Sequence, residues 1–197
     1  MPRPSLKTLR SQEILDAFAV CVGQFGLEGA TLDRIAETAG VKRPILRHYL
    51  GNRDEMVEAL IDHLGADFDG QTDALFEALP SRDRVEALLD LLFAPASVTD
   101  PDKVAALQAM VAASDRYPKA KRVLRDAIAR LLALIEGELS AAFPKAESAH
   151  ISSAAFGIAS VAFNLDALAP LRPPADWRSA AKSAAATLVQ SLEGETR

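Results

Sequence analysis

Lys42, Arg43, Arg47 and His48 lie within seven residues of one another, in the stretch VKRPILRHYL that ends at Leu50. What they have to offer is hydrogen-bond donation backed by positive charge. A guanidinium presents five donors in a planar fork and stays charged at any ordinary pH. Such groups pair with phosphate oxygens or, bidentately, with the O6 and N7 edge of a guanine. That chemistry needs the donors on one outward face. On a helix, Arg43 and Arg47 are one turn apart, while Ile45, Leu46, Tyr49 and Leu50 read as the inward side. The preceding residues supply the support. Thr31 reads as a helix cap, Leu32, Ile35 and Ala36 as an apolar face, and Gly40 as a sharp stop. Two short helices, a glycine turn and a basic outer face meet the requirements for laying one helix in a DNA major groove. Taken alone, the segment also fits an ordinary helical hairpin with solvated basic residues.

The rest of the chain frames that segment. A length of 197 residues, 49% of them hydrophobic and 25% charged, describes a globular protein with room for a real core. The net charge of −5 is unevenly spread: eight basic and five acidic residues up to Arg53, fourteen and twenty-two beyond it. A positive end on an acidic body suits a polyanion met at that end only. Cys21 is the single cysteine, so no internal disulfide forms, and its neighbours Phe18, Val22 and Phe25 mark it as a small buried residue. The N-terminus lacks the apolar core of a signal peptide, and the longest apolar run, about residues 154–163, is half a bilayer span. A cytoplasmic protein is expected, with no membrane partner.

Apolar spacing of three and four throughout predicts an all-α fold. The first helix is expected from Leu6 to Phe25, ended by Gly26; Gly51 ends the third, and Asn52 with Glu55 forms a capping box for a fourth that runs to about Asp69. Further helices are expected from Ser81 to a stop at Pro95, from Asp100-Pro101, and from Pro118 to Pro144. The last two, residues 146–169 and 175–192, are rich in Ala, Ser and Gly, which lets helix axes approach closely and suits an intersubunit four-helix bundle.

The stretch RSQEILDAFAVCVGQFGLEGATLDRIAETAGVKRPILRHYLGNRDEMVEAL resembles the TetR family of bacterial transcriptional regulators. The match lies in the IL-x-x-F run closing on FG, the GATLDRIAETAGV block and HYLGNRDEM, and covers about residues 10–60. It implies about nine helices: a helix-turn-helix DNA-binding domain over residues 1–52 and a helical ligand-binding and dimerisation domain over 53–197. It further implies a repressor that binds a two-fold operator in double-stranded DNA as a homodimer, joined through the two C-terminal helices, and is released by a small effector. By this resemblance Thr31, Lys42, Arg43, Ile45, Arg47, His48, Tyr49 and Arg53 are the DNA-contacting positions. Lys42 stands where a serine cap is common, Pro44 where a glycine or small residue is common, and Arg47 where a tyrosine usually meets phosphate. A proline there pushes Arg43 away from helical angles, so the recognition helix is expected to begin one residue late.

Candidates for the effector pocket are Phe93, Met110, Ser114, Phe156, Ser160, Phe163 and Asn164, the last because an amide in an apolar stretch needs partners. An apolar pocket with one or two polar anchors would take a lipophilic molecule. Catalysis has little to stand on. His48, His63 and His150 lack a second ligand at metal spacing beyond the pairs Glu147/His150 and Glu58/Asp62, which read as solvated helix charges. No phosphate loop, nucleophile elbow or cysteine–histidine pattern occurs, so neither enzyme activity, metal nor cofactor is expected. The remaining alternative is a helical protein-interaction module that has lost DNA binding.

Overall fold

In the computed structural model, residues 6–94 and 100–193 are described. Among them are nine α-helices and no strand: α1 (Leu6–Gly29), α2 (Leu32–Thr38), α3 (Arg43–Leu50), α4 (Arg53–Glu77), α5 (Arg84–Leu92), α6 (Pro101–Ala112), α7 (Pro118–Ala142), α8 (Ser148–Ala167) and α9 (Ala175–Glu193). The helices form two compact units. The first takes the described residues up to Phe68 together with Asp100–Asp126; the second takes those from Asp69 to residue 94 and from Ala127 to residue 193.

The first unit is built around α1. Its stripe of Ile14, Phe18 and Val22 is fully buried against Ile35 of α2, Leu46 of α3, and Leu60 and Ile61 of α4. Cys21 is buried as expected, its Sγ 3.3 Å from Thr38 Oγ1. Gly26 breaks α1 with φ 70° and ψ 170°, and one more helical turn follows to Gly29. Glycine adopts that conformation without a Cβ penalty, so the chain changes direction there at little cost. The first turn of α6 lies on α1 at Gly23, where a Cβ would sit 2.3 Å from the carbonyl oxygen of Asp102. Beside it, Gln24 Nε2 donates to Asp102 Oδ2 at 2.9 Å. The expected start of α6 holds: Asp100 Oδ1 accepts from the amide of Asp102, and Pro101 opens the helix.

Besides the added turn of α1, two boundaries differ from expectation. α4 continues through Gly70 to Glu77, with Thr72 buried within the second unit. α5 starts at Arg84 rather than Ser81, after Asp83 takes a left-handed conformation at φ 54°. Pro95, expected to stop α5, lies outside the described residues; the helix already closes at Phe93.

In the second unit α8 and α9 pack closely. Gly157 leaves the space that Leu188 fills, since a Cβ there would lie 2.6 Å from Leu188 Cδ1. α8 buries Ile151, Ala154, Ala155, Ile158 and Ala159, the small residues setting a close approach. Arg84 makes a two-pronged bond with Glu138 of α7, Nε to Oε2 at 2.7 Å and Nη2 to Oε1 at 2.6 Å. That hydrogen bond holds the Glu138 carboxyl below its usual value of 4.5. A group whose folded pKa is depressed stabilises above its unfolded pKa, and the contribution is lost as pH falls through the folded one. Melting temperature followed from pH 6 downward is therefore expected to fall less steeply below pH 4.5 in Glu138→Gln than in the parent. Parallel acid limbs would remove the pair from the stability of this unit.

Candidate nucleic-acid interface

The putting-together of this surface starts with α2. Thr31 takes extended backbone angles, and its Oγ1 accepts from the amide of Arg34 at 3.4 Å. Ile35 and Ala36 are buried, anchoring the helix on α1. The end of α2 is a left-handed glycine cap. Gly40 has φ 62°, the amide of Val41 reaches back to Ala36 O at 2.9 Å, and that of Gly40 to Glu37 O at 3.1 Å. This six-to-one closure turns the chain sharply and drives Val41 against the core.

α3 follows at once and has one fully buried anchor, Leu46. Tyr49 and Leu50 are half-buried against the same core. Lys42, Arg43, Pro44, Ile45, Arg47 and His48 are all exposed. Ile45 thus departs from the inward position expected of it: at 37% exposure it sits on the solvent side beside the basic residues. The reason is angular, since an eight-residue helix with Leu46 at the centre of its buried side turns the preceding residue outward. The late start expected for the recognition helix also does not occur. α3 begins at Arg43 with Pro44 in its first turn, and Lys42 is the extended cap residue, without a side-chain capping bond. Helical angles before proline are disfavoured rather than forbidden, and a proline in the first turn removes no helical bond.

The charges on this face differ in how they are engaged. Arg43 Nη1 is 3.3 Å from Asp33 Oδ1, an exposed pair across the two helices. His48 and Tyr49 meet edge to face, ring centres 5.1 Å apart. Lys42 and Arg47 have no ion pair among the described residues. By contrast Lys103, Arg116, Lys119 and Lys121 of the same unit all pair with carboxylates.

Gly51 ends α3 with φ 78°, and the capping box follows. Asn52 Oδ1 accepts from the amides of Asp54 and Glu55, both at 3.0 Å, while Glu55 Oε2 accepts from the amide of Asn52 at 2.7 Å. The next residue, Arg53, is placed differently from the others named for DNA. Its Nη1 donates to Ala30 O at 2.8 Å and its Nη2 to Leu27 O at 2.5 Å. The guanidinium lies over the Phe18 ring, 4.9 Å from its centre, and burial lowers its pKa. Arg53 therefore clips the start of α4 to the loop that leads into α2. Arg34 does similar work nearby, donating to Gly29 O at 2.7 Å and lying 4.4 Å from the Phe25 ring centre. Nothing local in the sequence marks either clip.

The seven effector-pocket candidates are scattered. Met110 and Ser114 belong to the first unit, Met110 as fully buried core. Phe93, buried, and the four on α8 belong to the second. Phe163 is half-buried, whereas Phe156, Ser160 and Asn164 are exposed, one turn apart along one side of α8. The expectation of a buried Asn164 amide is thereby corrected: α8 buries its opposite side, through Ile158 and Leu165, and leaves Asn164 in solvent. The polar group that is partly buried in that stretch is Asp166, whose carboxyl is raised by burial and opposed by Arg178. Arg178 in turn donates to Ala94 O at 3.3 Å.

A short capped helix, a glycine turn and a second helix showing its basic side to solvent define a helix-turn-helix domain of the DNA-binding type. Comparison with known proteins agrees. Residues 14–60 match the family of bacterial regulatory proteins, tetR family. The chain is 31% identical over 125 residues to the HTH-type transcriptional regulator BetI of Rhizobium meliloti, an alignment covering 63% of this chain and 61% of that protein. Against BetI of Serratia proteamaculans it is 29% identical over 152 residues, 75% of this chain and 76% of that one. The fold is shared with a TetR transcription regulator of Haloarcula marismortui, at TM-score 0.70, 16% identity, and coverage of 92% and 97%. It is shared also with Salmonella enterica GusR, at TM-score 0.69, 16% identity, and coverage of 98% of each chain. The likeness to tetR-family regulators lies in the helix-turn-helix region, residues 14–60. The relatives it matches are transcriptional regulators, not enzymes. No helix among the described residues is long and apolar enough to cross a membrane.

Proposed function

We propose that the protein is a ligand-responsive transcriptional repressor that binds a two-fold operator as a homodimer and leaves it when a small effector binds. The observation that carries this reading is the outer side of α3, where Lys42 and Arg47 stand exposed and, among the described residues, without a carboxylate partner. Arg47 reaches a guanine edge or a phosphate, Lys42 and Arg43 meet phosphates, and Ile45 lies against a thymine methyl. Thr31, His48 and Tyr49 border the same surface and contact the DNA backbone. Arg53 serves it by holding Leu27 and Ala30, with its charge close to the same phosphates.

Two reading heads must enter successive major grooves, about 34 Å apart on one side of the duplex. Residues 1–52 act as the head, and residues 53–197 as the effector-binding and dimerising part. The exposed Phe156 of α8 and Trp177 of α9 offer apolar surface to a second copy, which supports these two helices as the intersubunit contact. A lipophilic effector held in the second unit shifts the dimer between operator-competent and incompetent spacings, by no more than its difference in affinity for the two. The protein works in the cytoplasm, where its operator is.

Selection of bound fragments from random DNA tests the reading, with a two-fold symmetric consensus as the expected result. On that consensus, Arg47→Ala is expected to weaken binding about ten-fold, or roughly 1.4 kcal/mol. The dimer should stay intact, and the slope of log affinity against log salt should fall by about one. Fluorescence anisotropy at several salt concentrations measures both. Undiminished affinity takes Arg47 out of the interface, and failure to enrich any sequence sinks the regulator reading.

A further inference from the structure

Asp16 on α1 and His63 and Asp67 on α4 bring three donor atoms within 4.8 Å of one another, all inside the first unit. We propose that these three side chains bind one divalent first-row transition-metal ion, in competition with the ammonium group of Lys103. His63 and Asp67 are one helical turn apart and so share a face of α4. The third donor comes from α1, where Asp16 Oδ1 lies 3.0 Å from His63 Nε2. Ligand atoms around a four-coordinate ion with bonds of about 2.1 Å are about 3.4 Å apart. One pair already meets that separation, and side-chain rotation closes the rest.

The focus of these groups already attracts a cation. Lys103 of α6 pairs with both carboxylates, with Asp16 at 3.4 Å and, more closely, with Asp67. The imidazole is 88% removed from solvent, its side chain being 12% exposed, while Asp16 is half-exposed and leaves a route for entry. Two carboxylates match the charge of a divalent ion, and an imidazole nitrogen favours zinc, cobalt or nickel over magnesium and calcium. Three protein ligands leave room for water at the remaining position. A lysine stem is flexible enough for the ammonium to leave without moving backbone. The exchange would replace the Lys103 ion pairs from α6 to α1 and α4 by a direct metal link between α1 and α4. The one-turn spacing of His63 and Asp67 is readable in sequence and is missing from the metal pairs considered there; the third donor is hidden because Asp16 precedes His63 by forty-seven residues.

The test uses the full chain, freed of metal with chelator and titrated with Co(II), following its visible absorption, and with Zn(II) by calorimetry. One ion per chain is expected. His63→Ala and Asp67→Asn are each expected to lower affinity at least about ten-fold, and Lys103→Met to raise it by a similar factor. Circular dichroism of the metal-free variants checks that each is folded, and Asp67→Asn carries the test should His63→Ala fail. Absence of stoichiometric binding, or binding untouched by both ligand variants, overturns the site and leaves an ion-pair network only. An unchanged or weaker affinity in Lys103→Met overturns the competition.

Discussion

Gly23→Ala is expected to lower the stability of the first unit by about 2 kcal/mol or more, although alanine is the better helix former. The new Cβ would lie 2.3 Å from Asp102 O, 2.7 Å from its Cα and 2.9 Å from its carbonyl carbon. All three are backbone atoms in the first turn of α6, so no rotamer change relieves the contact. α6 must move off α1, and the Gln24–Asp102 bond at 2.9 Å goes with it. Against this stands a helix-propensity gain of about 1 kcal/mol. Gly137→Ala isolates that gain: Gly137 lies within α7, exposed, with nothing within 4 Å of the added carbon. The two substitutions are chemically identical and should move the urea midpoint in opposite directions. A Gly23→Ala midpoint at or above the parent value would mean that α6 is not seated on α1 as described.

The contrast shows which parts of the molecule are legible in sequence. Thr31, Gly40, Gly51, Asn52 and Glu55 act on atoms within five residues of themselves, and their roles follow from residue type and spacing alone. The all-helical fold and the entry into α6 are of the same kind. Ile45 and Asn164 fail for a different reason. Which side of a helix is buried depends on the partner packed against it, and a short or small-residue helix leaves its periodicity ambiguous. Leu46 settles the question for α3, Ile158 and Leu165 for α8, but only in three dimensions. The run of α4 beyond Asp69 belongs here too, since Gly70 offers a local stop that tertiary packing overrides, with Thr72 buried just beyond it. Contacts between distant residues are the least legible: Gly23 with Asp102, Asp16 with His63, and Arg53 with Leu27 are bridged by chain that carries no trace of them.

Arg53→Ala is expected to destabilise the first unit by about 3 kcal/mol. Two charge-assisted hydrogen bonds are lost, each worth about 1.5–3 kcal/mol net, with the lower end expected where water reaches the freed carbonyl. Ala30 is buried, so its carbonyl is poorly placed to find water; Leu27 is half-buried and recovers more easily. The contact over Phe18 adds roughly 1 kcal/mol. For a chain of this length, 3 kcal/mol corresponds to a fall in melting temperature of roughly 6–12 °C. Arg53→Lys separates the two ways this residue can serve DNA. Lysine keeps the positive charge but lacks the fork that spans Leu27 O and Ala30 O together. If Arg53 acted chiefly through its charge on a phosphate, Arg53→Lys would restore operator affinity nearly to the parent level. Acting chiefly as a clip, it leaves the lysine variant about half as destabilised as the alanine one, with the loop before α2 loosened and operator binding still impaired. Thermal melts and anisotropy on the same two variants decide between them, and full rescue of both by lysine would refute the clip.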